Sequence, residues 1–300
     1  MSQRTYSRGL VLGKGSLPQK VIGLSIVAFG LLLVGMQVVH ESVIQIETAF
    51  VKVEKPASYR FVAYSKLLKA FVKNNSVDYK ELKKSPLLAE SLKEIAHINP
   101  EKMLDRRELL SFWLNVYNLI AMKEIADRFP ITDLRNMGND ATSKKFTVGG
   151  EKYSLQTIQL DKIKPLFSPD YPEEVFLMCG GAMGHPSIMD HPVEPARMDG
   201  DMKESAFLWI MEPTNAGFNR DKTRFDLAPY LQWNEAIFAK RYGTPIDFVI
   251  SFLRPDVQEA IQGNITIIKG FGLPFNWIIN DYYVKDAIVK QREKLAVPEN

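Results

Sequence analysis

Residues that could perform chemistry are concentrated in one glycine-rich segment of this chain. Cys179 is the only cysteine; three glycines follow it within five residues, and His185 and His191 lie beyond them. A thiol beside an imidazole is the minimum that cysteine nucleophile chemistry requires, because the imidazole takes the proton from the thiol. A free cysteine is also commonly a small buried apolar residue. The segment therefore has two interpretations, a catalytic thiol or a structural one.

The same segment contains possible metal ligands in His185, Asp190 and His191. A metal site needs several ligands held at defined positions, and a loop interrupted by Pro186 fixes no such geometry. We therefore predict neither a metal site nor a cofactor.

A second group of polar residues lies in the sequence Phe-Trp-Leu-Asn-Val-Tyr-Asn at positions 112–118. Asn115 and Asn118 are three residues apart, so in a helix their side chains share one face. A buried amide without partners costs about 1–3 kcal/mol, so a second element must dock against that face. The two amides either bind the protein's own backbone, which is the commoner arrangement, or contact a ligand.

The elements that position these residues follow from the spacing of apolar residues. A long helix is predicted over residues 105–129, ending before Pro130, and the apolar run 174–179 is typical of a strand buried on both faces. Gly149-Gly150 predicts a β-hairpin between residues 145–148 and 152–155. Further helices are predicted over 59–72, 86–97, 198–211, 227–241 and 245–253, and a further strand over 265–268.

The order of these elements indicates the fold class. Several helices separate the strands, without regular βαβ alternation, and no internal repeat or linker divides residues 57–295. We therefore predict an α+β fold, consisting of one mainly helical domain with a small sheet.

The N-terminal region has the composition of a membrane anchor. Residues 21–39 are uncharged, and as a helix they would be about 28 Å long, close to a hydrocarbon core of about 30 Å. A cleaved signal peptide is the alternative, but its apolar core is shorter and ends at a small-residue cleavage site, and residues 35–40 offer no convincing Ala-x-Ala pattern. We therefore predict a single-pass transmembrane helix over 21–39, a basic cytoplasmic tail over 1–20 and a juxtamembrane helix over 40–56.

The charge distribution sets the expected orientation. Residues 1–40 contain four basic residues and no acid, so the rest of the chain, with 34 basic and 35 acidic residues, has a net charge of −1. The positive-inside rule then places residues 41–300 outside the cytoplasm, in the periplasm if the cell is Gram-negative. The rest of the chain lacks the basic stripe of a nucleic-acid-binding protein. Expected partners are the membrane, through residues 21–39, and a small molecule or a protein.

The segment 112–118 resembles the signature helix of the domain of unknown function 547 family. Similar matches follow in order: Val-Asp-Tyr at 77–79, Tyr-Ser-Leu at 153–155, the Cys179 loop, and Phe-Asn-Trp at 275–277. The resemblance covers residues 60–283. It implies a Cys/His/acid arrangement like that of transglutaminases, and hence a fold of transglutaminase or papain type.

This sequence departs from the family pattern at each ionisable position of that arrangement. Gly-His-Pro at 184–186 stands where the family has Ser-Cys-Pro, Gln159-Leu160 stands for Glu-His, and Asn276 stands for the closing Asp. Gln and Asn keep the hydrogen-bonding shape of the acids that they replace, but not their charge. The departures favour a binding site over a catalytic site.

The resulting functional prediction is a membrane-anchored, exported domain that binds or scaffolds without catalysis. Candidate cleft residues are Asn115, Asn118, Gln159, Cys179, His185, Asn276 and Trp277. The alternative is an acyl- or aminoacyl-transferase, or a peptidase-like enzyme, that uses Cys179 with His185 or His191. The two differ in whether the thiol is exposed and within reach of an imidazole.

Overall fold

The computed structural model describes residues 60–138, 140–264 and 266–296. One compact unit spans Lys55–Arg292. Its α-helices are α1 Val62–Phe71, α2 Tyr79–Leu82, α3 Pro86–His97, α4 Arg106–Arg128, α5 Leu155–Thr157, α6 Met198–Met211, α7 Ala239–Tyr242, α8 Pro245–Ser251, α9 Pro255–Gly263 and α10 Tyr282–Ala296. Short 3₁₀ segments include Leu134–Met137, Pro172–Leu177 and Gln232–Phe238, and a π-helix spans Ile158–Ile163.

Helix α4 is the centre of the fold. Asp105 begins it by accepting a hydrogen bond from the backbone N–H of Glu108 at 2.9 Å. Its residues are buried without interruption from Leu110 to Met122, so the helix is surrounded on all sides. The helix predicted over 105–129 is confirmed, with its end one residue earlier.

Two groups of apolar side chains form the core. One surrounds α4 and includes buried residues of α1 and α3 such as Leu67 and Ile95. The other lies between α6, α8 and the strands near Phe225, and includes Trp209 and Phe248. The segment Pro172–Leu177 belongs to both, because Phe176 packs in the second group and Leu177 in the first.

In the part of the chain that the structure describes, the strands form three small sheets. The strands are β1 Val72–Lys73, β2 Ser76–Val77, β3 Lys145–Val148, β4 Glu151–Ser154, β5 Ala216–Phe218, β6 Arg224–Leu227 and β7 Ile268–Gly270. β1–β2 and β3–β4 are antiparallel hairpins, and in the third sheet β6 pairs antiparallel with β5 and parallel with β7. The hairpin predicted around Gly149-Gly150 is confirmed, with Val148 opposite Glu151. The fold is α+β, but its strands are divided among three sheets rather than one.

The strand predicted over 174–179 is wrong. Those residues belong to a 3₁₀ helix, Pro172–Leu177, followed by extended backbone. A continuous apolar run indicates that a segment is buried on every side. Periodicity alone does not distinguish a buried strand from a buried helical turn. Pro172, at the first turn, favours the helical alternative.

The prediction of a fold with a transmembrane helix is contradicted. Within residues 60–138, 140–264 and 266–296, no helix is both long and apolar enough to cross a bilayer. The longest one, α4, carries charged residues at both ends and two amides in its middle. Residues 1–20, 21–39 and 40–56, where the tail, anchor and juxtamembrane helix were expected, lie outside the described residues. The membrane assignment and the single-pass localisation therefore have no structural support.

Candidate functional site

Two amides of α4 bind the backbone of the glycine-rich segment. Asn115 Nδ2 donates to the Val193 carbonyl oxygen at 2.8 Å, and its Oδ1 accepts from the Val193 N–H at 2.8 Å. Asn118 Nδ2 donates to the Leu177 carbonyl oxygen at 3.0 Å, and its Oδ1 accepts from the Cys179 N–H at 2.8 Å. We call these pairs the amide clamps. Of the two arrangements that the sequence left open, the structure shows the one in which both amides bind the protein's own backbone.

The clamps hold Cys179 inside the protein. Its side chain is 7% exposed, and Sγ donates to the Ser187 carbonyl oxygen at 3.2 Å. Burial raises the pKa of the Cys179 thiol to about 12, because a thiolate loses its hydration there. The thiol is therefore protonated at neutral pH and bonded to backbone.

Tyrosine hydroxyls surround this thiol. Tyr64, Tyr79, Tyr117 and Tyr230 are buried, and burial is the main cause that raises the pKa of each. The neighbouring Cys179 raises each pKa further, although for Tyr79 the carboxylate of Asp281 has a larger effect than Cys179. These side chains remain neutral and supply no positive charge to stabilise a thiolate.

His185 lies against the backbone of Gly180. A Cβ added at Gly180 would be 2.6 Å from His185 Nε2, so glycine is required for this contact. The imidazole packs edge-on against Phe275 and Tyr230, with ring centroids 4.9 and 5.8 Å away. Burial lowers the pKa of His185 to about 4, so the ring is neutral at pH 7.

His191 is held between two carboxylates. Its Nδ1 is 2.7 Å from Asp190 Oδ1, and its Nε2 is 3.4 Å from Asp201 Oδ1. Burial by itself would lower the pKa of His191, but the bonds to Asp201 and Asp190 raise it above its usual value. Both ring nitrogens are therefore occupied by acidic partners.

The space beside Cys179 is small. Two cavities adjoin it, each of about 10 Å³; one is also lined by Tyr64 and His191, the other by Tyr79 and Asn280. A cavity of this volume accommodates about one water molecule. An acyl or peptidyl substrate does not fit in either.

An aromatic cluster lies at the outer side of the same loop. The ring centroid of Phe275 is 4.9 Å from that of Trp233 and 4.5 Å from that of Trp277. Trp233 is 48% exposed, whereas Phe275 beneath it is buried. We call Trp233, Phe275 and Trp277 the aromatic surface; His185 contacts it through Phe275.

The structure thus separates the residues predicted to share one cleft. Asn115, Asn118 and Cys179 are interior, whereas His185, Asn276 and Trp277 lie at or beside the aromatic surface. Gln159 lies in the π-helix Ile158–Ile163 and belongs to neither group. Sequence reasoning missed Trp233, because its segment carries no recognisable motif. It also missed Asp201, which reaches His191 from the next helix.

No group of three or more His, Cys, Asp or Glu side chains in the described ranges is arranged to hold a metal ion.

Comparison with known families finds a match in the central part of the chain. The family model described as "Protein of unknown function, DUF547" matches residues 101–210. This part of the chain is therefore similar to the DUF547 family. The matched range contains α4, both amide clamps, Cys179 and the two histidines, but not the aromatic surface. No curated protein and no solved structure matches the chain. The transglutaminase- or papain-like character that the resemblance implied is tested by neither comparison.

Proposed function

We propose that this DUF547 domain is a binding or scaffolding domain that does not use Cys179 as a nucleophile. The observation that carries the proposal is the hydrogen bonding around the thiol. The Cys179 N–H is bound by Asn118, and Sγ is bound to the Ser187 carbonyl oxygen. Cys179 thus has a structural role in this chain.

The protonation state supports the same proposal. With a pKa of about 12, only about one thiol in 100,000 is ionised at pH 7, and the thiolate is the nucleophile. Neither imidazole is placed to accept the proton in this arrangement. His185 is packed among aromatic rings, and both nitrogens of His191 face carboxylates.

The alternative, a cysteine-dependent transferase or peptidase-like enzyme, has one observation in its favour. Cys179 and His191 line the same cavity. To act together, His191 would have to leave Asp190 or Asp201, and the thiol would have to leave Ser187. The cavity would also have to open well beyond the volume of one water molecule.

Thiol labelling tests the proposal. Iodoacetamide at pH 7 should label the native full chain slowly and the unfolded chain rapidly, because unfolding exposes the thiol and restores its ordinary pKa. A Cys179→Ala variant gives the background, since the chain has no other cysteine. Fast native labelling that disappears in His191→Ala or His185→Ala would refute the proposal and establish the enzyme alternative.

A further inference from the structure

We propose that protonated His191 is a pH-dependent latch, which holds residues 186–193 against α6 and so controls access to the cavity beside Cys179. We call residues 186–193 the latch segment. This inference rests on the proposed function, in which Cys179 is a buried and unreactive thiol, and adds the regulation of access to that site.

The contacts of the His191 ring require two N–H groups. Nδ1 lies 2.7 Å from Asp190 Oδ1, and Nε2 lies 3.4 Å from Asp201 Oδ1. An ionised carboxylate only accepts hydrogen bonds, whereas a neutral imidazole has one N–H donor and one lone pair. A neutral His191 therefore bonds to one carboxylate and turns a lone pair towards the other. Only the protonated ring donates to both, so the arrangement depends on one proton.

The charged groups around His191 favour its protonated form. Asp201 is buried, and its Oδ2 has no hydrogen-bond partner in the part of the chain that the structure describes. Arg197 Nη2 is 3.8 Å from Asp201 Oδ1, farther away than the His191 ring, and Asp190 is exposed. Burial lowers the pKa of His191, but the bonds to Asp201 and Asp190 outweigh it and raise the pKa above its usual value.

The latch segment forms part of the wall around the Cys179 thiol. It lines the cavity with Ser187, Ile188, Met189, His191 and Val193. The other titratable side chains in that wall, Cys179 and Tyr64, are neutral at pH 7 because burial raises the pKa of each. The Asn115 clamp on Val193 is uncharged, so it holds the end of the segment at any pH. His191 adds an attachment to α6 that changes with pH.

The direction of the pH dependence follows from the raised pKa of His191. Below about pH 6.5 the ring is charged in the folded and the unfolded protein, and the latch is fully engaged. As the pH rises through the folded-state pKa, the ring loses one carboxylate contact and the buried Asp201 carboxylate loses its nearest cation. The segment then separates from α6 more often, so the thiol is more accessible at alkaline pH.

Thiol labelling of the full chain tests the latch. Iodoacetamide labelling of Cys179 is compared between the unaltered protein and His191→Gln at pH 6 and at pH 9. The thiolate fraction of the exposed thiol changes with pH equally in both proteins, so it cancels in the ratio of their rates. We expect the variant to be labelled about tenfold faster at pH 6, as for the loss of one hydrogen bond to a charged group. At pH 9 the ratio should approach 1.

A second histidine provides the matched control. His97 is exposed, and its Nδ1 bonds to the Lys93 carbonyl oxygen within its own helix. His97→Gln should therefore be labelled like the unaltered protein at both pH values. Hydrogen exchange then locates the effect of His191→Gln at pH 6. Exchange should be faster in the latch segment and unchanged in α4.

Two carboxylate variants test the latch without removing His191. Asp201→Asn keeps the shape of the side chain but removes its charge, so proton NMR should show a lower pKa for His191 than in the unaltered protein. Asp190→Asn should lower it less, because Asp190 is exposed and its charge is screened by solvent.

Three results would overturn the latch. They are a His191 ring that is neutral at pH 6 or whose pKa Asp201→Asn leaves unchanged, a labelling ratio near 1 at pH 6, and faster hydrogen exchange in His191→Gln that extends through α4. If any of these occurs while Cys179 of the unaltered protein is labelled slowly at pH 7, the latch fails and the proposed function stands. Rapid labelling of the unaltered protein that disappears in His191→Gln would overturn the proposed function, and the latch with it.

Discussion

The interior around Cys179 and the aromatic surface both contact the glycine-rich segment, and they differ in the contacts that their side chains make. In the interior, the amides of Asn115 and Asn118 bind backbone groups of the protein itself. At the surface, about half of Trp233 is exposed to solvent. The comparison shows that the predicted amides bond within the fold, whereas Trp233, which the sequence did not single out, is left half-exposed.

The largest expected effect distinguishes the two regions by stability. Asn115→Ala and Asn118→Ala should each lower the free energy of unfolding by about 1–3 kcal/mol, because each leaves a buried backbone N–H and carbonyl unpaired. Trp233→Ala should lower it by less, about 1 kcal/mol, because about half of the side chain is already exposed in the folded protein. Urea unfolding measures all three; a neutral Asn118→Ala would show that the clamps are dispensable.

The pH dependence of stability tests His185, which contacts both regions. The pKa of His185 is about 4 in the folded protein and near 6.5 in the unfolded protein. The contribution of the neutral ring to the free energy of unfolding is therefore fully present above pH 6.5. The contribution is lost as the pH falls from 6.5 towards 4, by up to about 3 kcal/mol. Proton NMR of the histidine rings should show His185 titrating near 4 and His191 above its ordinary value. Titration of His185 near 6.5 would mean that its ring is solvated.

A glycine substitution tests the contact between the Cys179 loop and His185. Gly180→Ala should destabilise the domain by about 1–3 kcal/mol, because the added methyl would overlap an imidazole confined between Tyr230 and Phe275. Gly200→Ala is the matched control. Gly200 lies in α6 with open space around it, so alanine there should stabilise by about 0.4–1 kcal/mol. Thermal unfolding compares the two; similar effects from both would indicate that the loop adapts.

The smallest expected effect concerns the buried carboxylate of Asp281, whose hydrogen-bonding capacity is only partly satisfied. Asp281 caps α10 through Oδ1, but its buried Oδ2 has no hydrogen-bond partner among the described residues. Burial raises the pKa of Asp281, and the nearby Asp78 raises it further. The contribution of Asp281 to the free energy of unfolding therefore declines as the pH rises above 3.8.

Asp281→Asn should therefore stabilise the domain at pH 7 by about 0.5–1 kcal/mol, since asparagine is an equally good cap and carries no charge. The gain should shrink in urea unfolding at pH 4. Destabilisation at pH 7 would show that the carboxylate has an unrecognised cationic partner.

Local sequence patterns were sufficient to predict several elements of secondary structure correctly. The predicted helices 86–97 and 198–211 coincide with α3 and α6, and the glycine pair at 149–150 forms the predicted turn. Such elements depend on capping residues, apolar periodicity and turn geometry within a few positions of one another. The prediction over 227–241 failed. That range contains the end of β6, the 3₁₀ segment Gln232–Phe238 and part of α7, because tertiary packing overrides weak helical periodicity.

By itself, the sequence determined the similarity of residues 101–210 to the DUF547 family, the shared helix face of Asn115 and Asn118, and the presence of a single thiol. These follow from residue types at short spacing, where helix geometry fixes which side chains share a face. Only the tertiary structure decided what the amides bind, that Gln159 lies apart, and that Trp233 meets Trp277. Those contacts join residues dozens of positions apart, and no local pattern specifies which distant segments share a surface.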